Sequence, residues 1–431
     1  MRHVAIIAAL LATAAGPSHA QAPAQSQPET VVVTADRMVD VLAGRTVDRP
    51  QIVITDGRIS AVGRQGDAVP PNARRVELPG KTLLPGLIDM HVHLGGSEKV
   101  RGYRALEFTD NFFLVMGVPN AEKLLDAGFT TVRSVGAAGY LDVALRQAID
   151  LGELRGPRIV AATSPISATG GHCDENTNQP SRARTAPGVA DGPDEVRKKV
   201  RELRKLGAQL IKVFATGGVF SRNTDPGAQQ MTYEELKMAA DEAHMLGMKV
   251  AAHAHGTEGI KAAIRAGIDT IEHASFIDDE AIRMAKERGT WLSMDIYNTD
   301  YTLTEGARLG VLEENLAKER LVGTRQREGF RRSVQLGARH VFGSDVGVYP
   351  AGLGGRQFPV MVRFGMTPMQ AIQAATTNAA QALGREKDVG AIAVGRFGDM
   401  IAVDGDPLQD IRALESVDVV IKGGKVEKNQ P

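Results

Sequence analysis

Between residues 85 and 384 the chain alternates short apolar runs with amphipathic helical stretches, a rhythm that few folds accommodate. The apolar runs are Leu83–His93, Thr130–Val135, Arg158–Ala162, Leu210–Ala215, Lys249–His255, Thr270–His273, Trp291–Ile296 and Val341–Asp345. Helical patterns fall between and after them, at Leu141–Leu151, Asp194–Leu206, Thr232–Leu246, Glu258–Ala266, Asp278–Arg288, Glu313–Leu336 and Thr367–Leu383. Eight β units alternating with helices predict an α/β fold, a (β/α)8 barrel. An open doubly wound sheet is the alternative, but its phosphate-binding glycine signatures are absent. Three connections are longer than a barrel needs: Leu94–Pro119, Ser164–Pro193 and Tyr297–Leu312. All follow strands and so belong to the face on which barrels build their sites.

Short β-like runs flank this middle. Thr30–Thr34, Gln51–Ile54 and Arg58–Val62 precede it, with Asp56-Gly57 as a hairpin signal, and Asp399–Val403 and Val417–Val426 follow it. The expectation is one small β-sandwich built from both termini, residues 21–84 and 385–431, around a barrel at 85–384. Two unrelated edge hairpins are the other reading. Residues 1–20 carry a basic start at Arg2 and His3, an apolar run from Val4 to Ala15 and a small-residue cleavage pattern at Ser18-His19-Ala20. That predicts a secretory signal peptide and a periplasmic or secreted mature protein, because the apolar run is too short to span a bilayer. Residues 21–29, rich in Gln, Pro and Ser, read as a leader without a core of its own.

Charge and composition narrow the function classes. Lys+Arg and Asp+Glu both number 51 in the 431 residues, so no net field recruits nucleic acid or an anionic membrane. Aromatic content of 4% argues against a base-stacking surface. The single cysteine, Cys173, excludes an intrachain disulfide.

Histidine placement points to chemistry. Of ten histidines, His3 and His19 fall in the predicted signal, leaving eight. Six of those, His91, His93, His172, His253, His255 and His273, lie at or after the C-terminal ends of predicted strands, whereas His244 and His340 do not. On a strand, residues two apart share a face, so His91 pairs with His93 and His253 with His255. Asp345 ends the eighth run. Strand ends converge in a closed barrel, and neutral imidazoles with a carboxylate suit Zn²⁺ or a similar divalent ion. Lys212 lies inside Gln209–Ala215 on the face of Leu210 and Phe214. A lysine buried there is costly unless it pairs with a carboxylate or is chemically altered. If neutral, its amine can add CO₂ to become a carbamate that bridges two metal ions.

This constellation resembles the amidohydrolase superfamily, in the subgroup with a binuclear centre and a carboxylated lysine. Pro85–His93 is similar to that family's first-strand signature, Lys212 to its fourth-strand lysine, His253 and His273 to its fifth- and sixth-strand histidines, and Asp345 to its eighth-strand aspartate. The closing stretch Val394–Met400 and the split β module resemble it too. Ala168–His172, Ile211–Ser221 and Ala251–Gly256 are similar to the prolidase and Xaa-dipeptidase branch that includes ochratoxin-hydrolysing enzymes. Leu94-Gly95-Gly96-Ser97 departs from the branch, which has a small polar residue sooner after the histidines.

The resemblance implies two divalent metal ions, one held by His91, His93 and Asp345, the other by His253 and His273. Carboxylated Lys212 and a hydroxide would bridge them. Asp345 would act as general acid/base, with His255 or His172 stabilising the oxyanion. The substrate would be a small molecule with an amide bond to a C-terminal amino acid and a free carboxylate, such as a dipeptide, an N-acyl amino acid or ochratoxin A. Arg222 and Arg356 are candidate carboxylate ligands. Phe108, Phe112, Phe113, Tyr297, Tyr301 and Tyr349 are candidates for an aromatic pocket, although Phe108 and Phe112 also fit helix packing. The branch further implies a homo-oligomer, as an octamer. The alternatives are a mononuclear deaminase of the same superfamily, which would keep His91, His93, a later histidine and Asp345 without needing Lys212, a cyclic-amide hydrolase of that superfamily, and a scaffold that has lost catalysis and would lose ligands.

Overall fold

The computed structural model describes residues 29–430, and the predicted signal peptide at 1–20 lies outside the described residues. Strands β1 (Thr30–Asp40), β2 (Arg45–Asp48), β3 (Pro50–Thr55), β4 (Arg58–Arg64) and β5 (Arg74–Pro85) come first. The barrel strands are β6 (Leu87–Val92), β7 (Phe129–Ser134), β8 (Arg158–Ala161), β9 (Leu210–Phe214), β10 (Lys249–Ala254), β11 (Thr270–His273), β12 (Trp291–Ser293) and β13 (His340–Val341). Strands β14 (Met400–Asp404), β15 (Val419–Lys422) and β16 (Lys425–Asn429) close the chain.

The terminal strands share one hydrogen-bonded path, β16-β15-β14-β5-β1-β3-β4, with β2 on β1. Its junction is the antiparallel pairing of β5 with β14, from Pro85 opposite Met400 to Lys81 opposite Asp404. Both ends of the sequence therefore build one module. Its own apolar core includes Val31, Val33, Ile52, Ile54, Leu83, Met400, Val419 and Ile421. Each such side chain removed from water contributes about 1.5–3 kcal/mol before chain entropy is set against it.

Gly86 is the hinge between this module and the barrel. A Cβ there would come 2.2 Å from Thr130 Oγ1, so the chain can pass only with glycine. The run Leu83–His93, expected as one strand, is accordingly divided between β5 and β6.

The barrel strands form two parallel arcs, β6-β7-β8 and β13-β12-β11-β10-β9. Backbone bonds join the arcs at two seams. Ile166 N–H donates to Lys212 O at 2.8 Å and Phe214 N–H to Ile166 O at 3.0 Å. Opposite, Met90 N–H donates to Phe342 O at 2.9 Å and Asp345 N–H to His91 O at 2.8 Å. The fold is a TIM barrel with an added β-sandwich, as the sequence predicts. Apolar residues of strands and helices, among them Leu124, Ile211, Ala240, Val250, Ile264 and Ile282, fill the interface between the strands and the surrounding helices.

Element ends follow local chemistry. The helix Tyr233–Met245 begins with a capping box between Thr232 and Glu235. The stretch Thr367–Leu383, expected as one helix, breaks into Pro368–Ala374 and Thr377–Ala382 because Thr376 leaves the helical region and its hydroxyl donates to Ile372 O at 2.7 Å. The first long connection is shorter than expected, since the helix Asp110–Asp126 runs through Pro119. The third contains the helix Asn298–Glu305. Only the second, Ser164–Pro193, is irregular for most of its length. No helix among the described residues is long and apolar enough to cross a membrane.

Candidate metal centre and substrate cavity

The barrel's C-terminal face opens into a cavity of about 480 Å³. All eight candidate residues line it: His91, His93, His172, Lys212, His253, His255, His273 and Asp345. Five different strands and the loop after β8 bring them together, as strand ends do in a closed barrel.

The hydrogen bonds behind the imidazoles decide what faces the cavity. His91 is bonded through Nδ1 to Glu272 Oε2 at 2.9 Å, His93 through Nδ1 to Gly136 O at 3.2 Å, and His273 through Nδ1 to Asp295 Oδ1 at 2.8 Å. His253 is bonded through Nε2 to Gly217 O at 3.1 Å. His255 and His172 are tied through Nδ1 to Ser275 Oγ at 2.7 Å and Ser221 Oγ at 2.6 Å. Every ring thus spends one nitrogen on the protein and keeps the other for the centre. For His91, His93, His253 and His273 the partner is a carboxylate or carbonyl, which fixes the tautomer as in a metal-binding histidine, whereas the serine hydroxyls behind His255 and His172 can donate or accept. The free Nε2 atoms of His91 and His93 lie 3.4 and 3.3 Å from Asp345 Oδ1.

Two groups bring ligand atoms within 4.8 Å of one another: His91, His273 and Asp345, and His253, His255 and His273. His273 belongs to both. Burial first, then the neighbouring Lys212, lowers the His91 pKa to about 4, and burial and neighbouring histidines hold His253 and His255 well below the usual value. These rings are neutral at pH 7, and His91 and His253, anchored on a carboxylate and a carbonyl, present a lone pair at the free nitrogen, as divalent-ion binding requires. For His273 burial also acts downward, but the Asp295 carboxylate outweighs it and the pKa is raised. Asp345 is pulled the other way by burial, yet His91 and His93 leave its carboxyl below the ordinary range. Its other oxygen accepts from Asn298 Nδ2 at 3.0 Å.

Lys212 is 1% exposed, and its amine has no hydrogen-bond partner among the described residues. Burial lowers its pKa to about 8 against an opposing pull from Glu272. The amine is not paired with a carboxylate. An appreciable neutral fraction at pH 7–8 is the form that can add CO₂.

Comparison with known proteins gives the family. The sequence model of the amidohydrolase family matches residues 82–426. The chain belongs to the amidohydrolase family. It is 31% identical to the ochratoxinase of Aspergillus niger over 412 residues, 89% of this chain and 84% of that protein. A crystal structure of a Xaa-Pro dipeptidase with methionine bound in the active site superposes with a TM-score of 0.88 at 36% identity, covering 92% of this chain and 99% of that one. A prolidase complexed with N-methylphosphonate-L-proline gives 0.86 at 29% identity, covering 93% and 100%.

Within this amidohydrolase the structure also finds residues that sequence reasoning missed. Arg133 and Glu272 form an ion pair at 2.6 Å with side-chain exposures of 2% and 0%. Arg133 also donates to Thr270 Oγ1 at 2.8 Å, so the pair ties β7 to β11 beneath His91. Asp89 accepts from the backbone N–H of His91 at 3.0 Å and of Ser344 at 3.1 Å, which fixes Asp345 relative to the first-strand histidines. Gln326, on the helix Glu313–Gln335, donates to Asp295 Oδ1 at 2.8 Å. Charged residues flanking the motif histidines were the available signal, but their partners are more than a hundred positions away.

Other assignments are corrected. Arg222 does not line the cavity; its guanidinium pairs with Glu314 at 3.2 Å and stacks on Tyr103. Arg356 is outside it too, donating to Tyr297 Oη at 3.4 Å. The six aromatic candidates are likewise absent from its wall. Phe108, Phe112 and Phe113 pack on one another, and Tyr297 and Tyr301 pack on the fully buried Tyr349. Arg101, Phe214, Val219 and Phe220 occupy those positions in the cavity instead. His172, in a glycine-rich loop, is held in the site. Its ring stacks on His253 at 4.4 Å, and a Cβ on Gly218 would come 2.3 Å from it.

Proposed function

We propose that this amidohydrolase is a metal-dependent amide hydrolase that cleaves the bond to a C-terminal amino acid, as a dipeptidase or an ochratoxinase-like enzyme. The observation that supports this most is the set of cavity-facing donors, each histidine with one nitrogen anchored and one free, grouped around Asp345 and the unpaired Lys212 amine. In this reading His91, His93 and Asp345 would hold one divalent ion and His253 and His273 a second, with Lys212, as its carbamate, a ligand available to both and Zn²⁺ the expected metal. Such a centre supplies an acidified water and polarises the scissile carbonyl.

The chain's own residues do the rest. Asp345 accepts the proton of the attacking water and passes it to the leaving amine, held in place by Asn298. His255 or His172 donates a hydrogen bond to the tetrahedral oxyanion. The supporting carboxylates Glu272 and Asp295 keep His91 and His273 in the ligating tautomer.

The substrate class is supported by the relatives: an ochratoxinase, a Xaa-Pro dipeptidase and a prolidase. The signal-like pattern of residues 1–20 supports export, with the reaction in the periplasm or outside the cell. Self-association is supported by the exposed apolar side chains Tyr103, Leu106, Leu114 and Val115 along one segment, and the octamer is the form the resembled branch implies. The test is hydrolysis of a panel of Xaa-Pro, Xaa-Phe and N-acyl amino acids with ochratoxin A, before and after chelation. Release of a free amino acid that stops on chelation and returns with Zn²⁺ is expected. No hydrolysis across the panel by metal-loaded protein would refute the reading.

A further inference from the structure

Two cations line the cavity among the described residues, Lys212 and Arg101. Lys212 is committed to the centre in the reading above. Arg101 has no such duty. It sits in the connection after β6, half-buried, and Nη2 donates to Gly347 O and Val348 O, both at 2.5 Å. No carboxylate makes a direct ion pair with it among the described residues, and only the more distant charges of Asp345 and Glu98 offset its burial. A guanidinium carries five N–H donors, and a charge drawn out of water without a counter-ion is costly unless a ligand supplies one.

Its position is chemically informative. Gly347 and Val348 follow Asp345 by two and three residues, so Arg101 is fastened beside the group that delivers a proton to the leaving amine. In an amide of an α-amino acid, the carboxylate carbon is two covalent bonds from that nitrogen. A substrate with its amide nitrogen at Asp345 therefore carries its carboxylate into the neighbourhood of Arg101. Phe220, 5.7 Å from the guanidinium carbon, and Val219 give the adjoining wall an apolar surface for the departing residue's side chain.

We propose that Arg101 binds the α-carboxylate of the leaving amino acid and so restricts the enzyme to amides with a free carboxylate beside the scissile nitrogen. This inference rests on the amide-hydrolase reading. It places the specificity cation in the first long connection, where neither Arg222 nor Arg356 can substitute because each is engaged outside the cavity.

The test uses matched substrates with metal-loaded enzyme: Xaa-Phe, Xaa-Met and Xaa-Pro dipeptides and N-acetyl amino acids, each as the free acid and as the C-terminal carboxamide. Wild type is expected to prefer the acids by roughly 100-fold in kcat/KM, the scale of a charge-assisted contact in a desolvated site. Arg101→Met should lose about that factor on the acids, mostly through KM, and markedly less on the carboxamides. Arg101→Lys should restore part of the preference. Calorimetric binding of the released amino acid should weaken in parallel. Arg101→Gln, which keeps donors for Gly347 and Val348, carries the test if the methionine variant does not fold. Retained acid preference in the folded variant, or equal losses on acid and carboxamide, would overturn the role of Arg101 while leaving amide hydrolysis intact. A wild type inactive on every free acid would instead overturn the functional reading, and this inference with it.

Discussion

Glu272 concentrates the coupling between stability and the centre, which makes Glu272→Gln the most informative perturbation. The side chain is 0% exposed; one oxygen accepts from Arg133 Nη2 and from Thr270 Oγ1, both at 2.6 Å, and the other faces His91 Nδ1 at 2.9 Å. Arg133 and His91 hold its pKa well below the ordinary value although burial pushes upward, so it is ionised. Glutamine keeps the shape but removes the charge that neutralises Arg133. Breaking a buried pair in this way costs about 3–5 kcal/mol. The amide NH₂ would also face His91 Nδ1 and drive the ring proton to Nε2, the nitrogen that looks at Asp345. Loss of a carboxylate behind a metal-binding imidazole weakens metal affinity by roughly 10–100-fold. Denaturant melts of the metal-free protein read the first effect, and competition with a chelator reads the second. The double variant Arg133→Met, Glu272→Gln should recover much of the stability but not the metal affinity. A single variant within about 0.5 kcal/mol of wild type, with unchanged metal affinity, would refute the reasoning.

Two further outcomes follow from other parts of the cavity. Burial raises the Glu319 pKa to about 7 from a usual 4.5. The unfolded chain releases that proton at lower pH than the folded one, so its stabilising contribution is full below about pH 4.5 and is lost as pH rises through 7. Glu319→Gln should therefore gain stability over wild type across that window, by up to roughly 3 kcal/mol in the metal-free protein, and a pH-independent difference in melts would contradict this. Gly218→Ala should push the His172 ring off His253 and lower kcat by a factor similar to His172→Ala, of order 10²–10³ if His172 meets the oxyanion. Unchanged kcat in both variants would remove His172 from that role.

The barrel was legible because alternation of apolar runs reports burial directly, and the His-x-His pairs were legible because strand periodicity places i and i+2 together. Lys212 stood out for the same reason: it interrupts an apolar strand. What escaped were partners joined only by the closed ring. Arg133 and Glu272 are 139 positions apart and His91 and Glu272 are 181, so no local pattern connects them. Arg101 escaped because a loop arginine has no periodicity to mark it, whereas Arg222 and Arg356 looked equally placed until their engagements were visible. Pro119 reads as a helix breaker, yet the helix Asp110–Asp126 accommodates it by packing Ala121, Leu124 and Leu125 into the core. The aromatic candidates followed residue type alone, and packing among themselves removed them from the cavity.

The central claim is a two-metal centre bridged by Lys212, and the metal-to-protein ratio of wild type and Lys212→Ala tests it most directly. About two divalent ions per chain in active wild type are predicted. The folded Lys212→Ala protein should hold fewer and hydrolyse nothing. Full activity with one ion per chain, or a Lys212→Ala variant that keeps both its metal and its activity, would contradict the account.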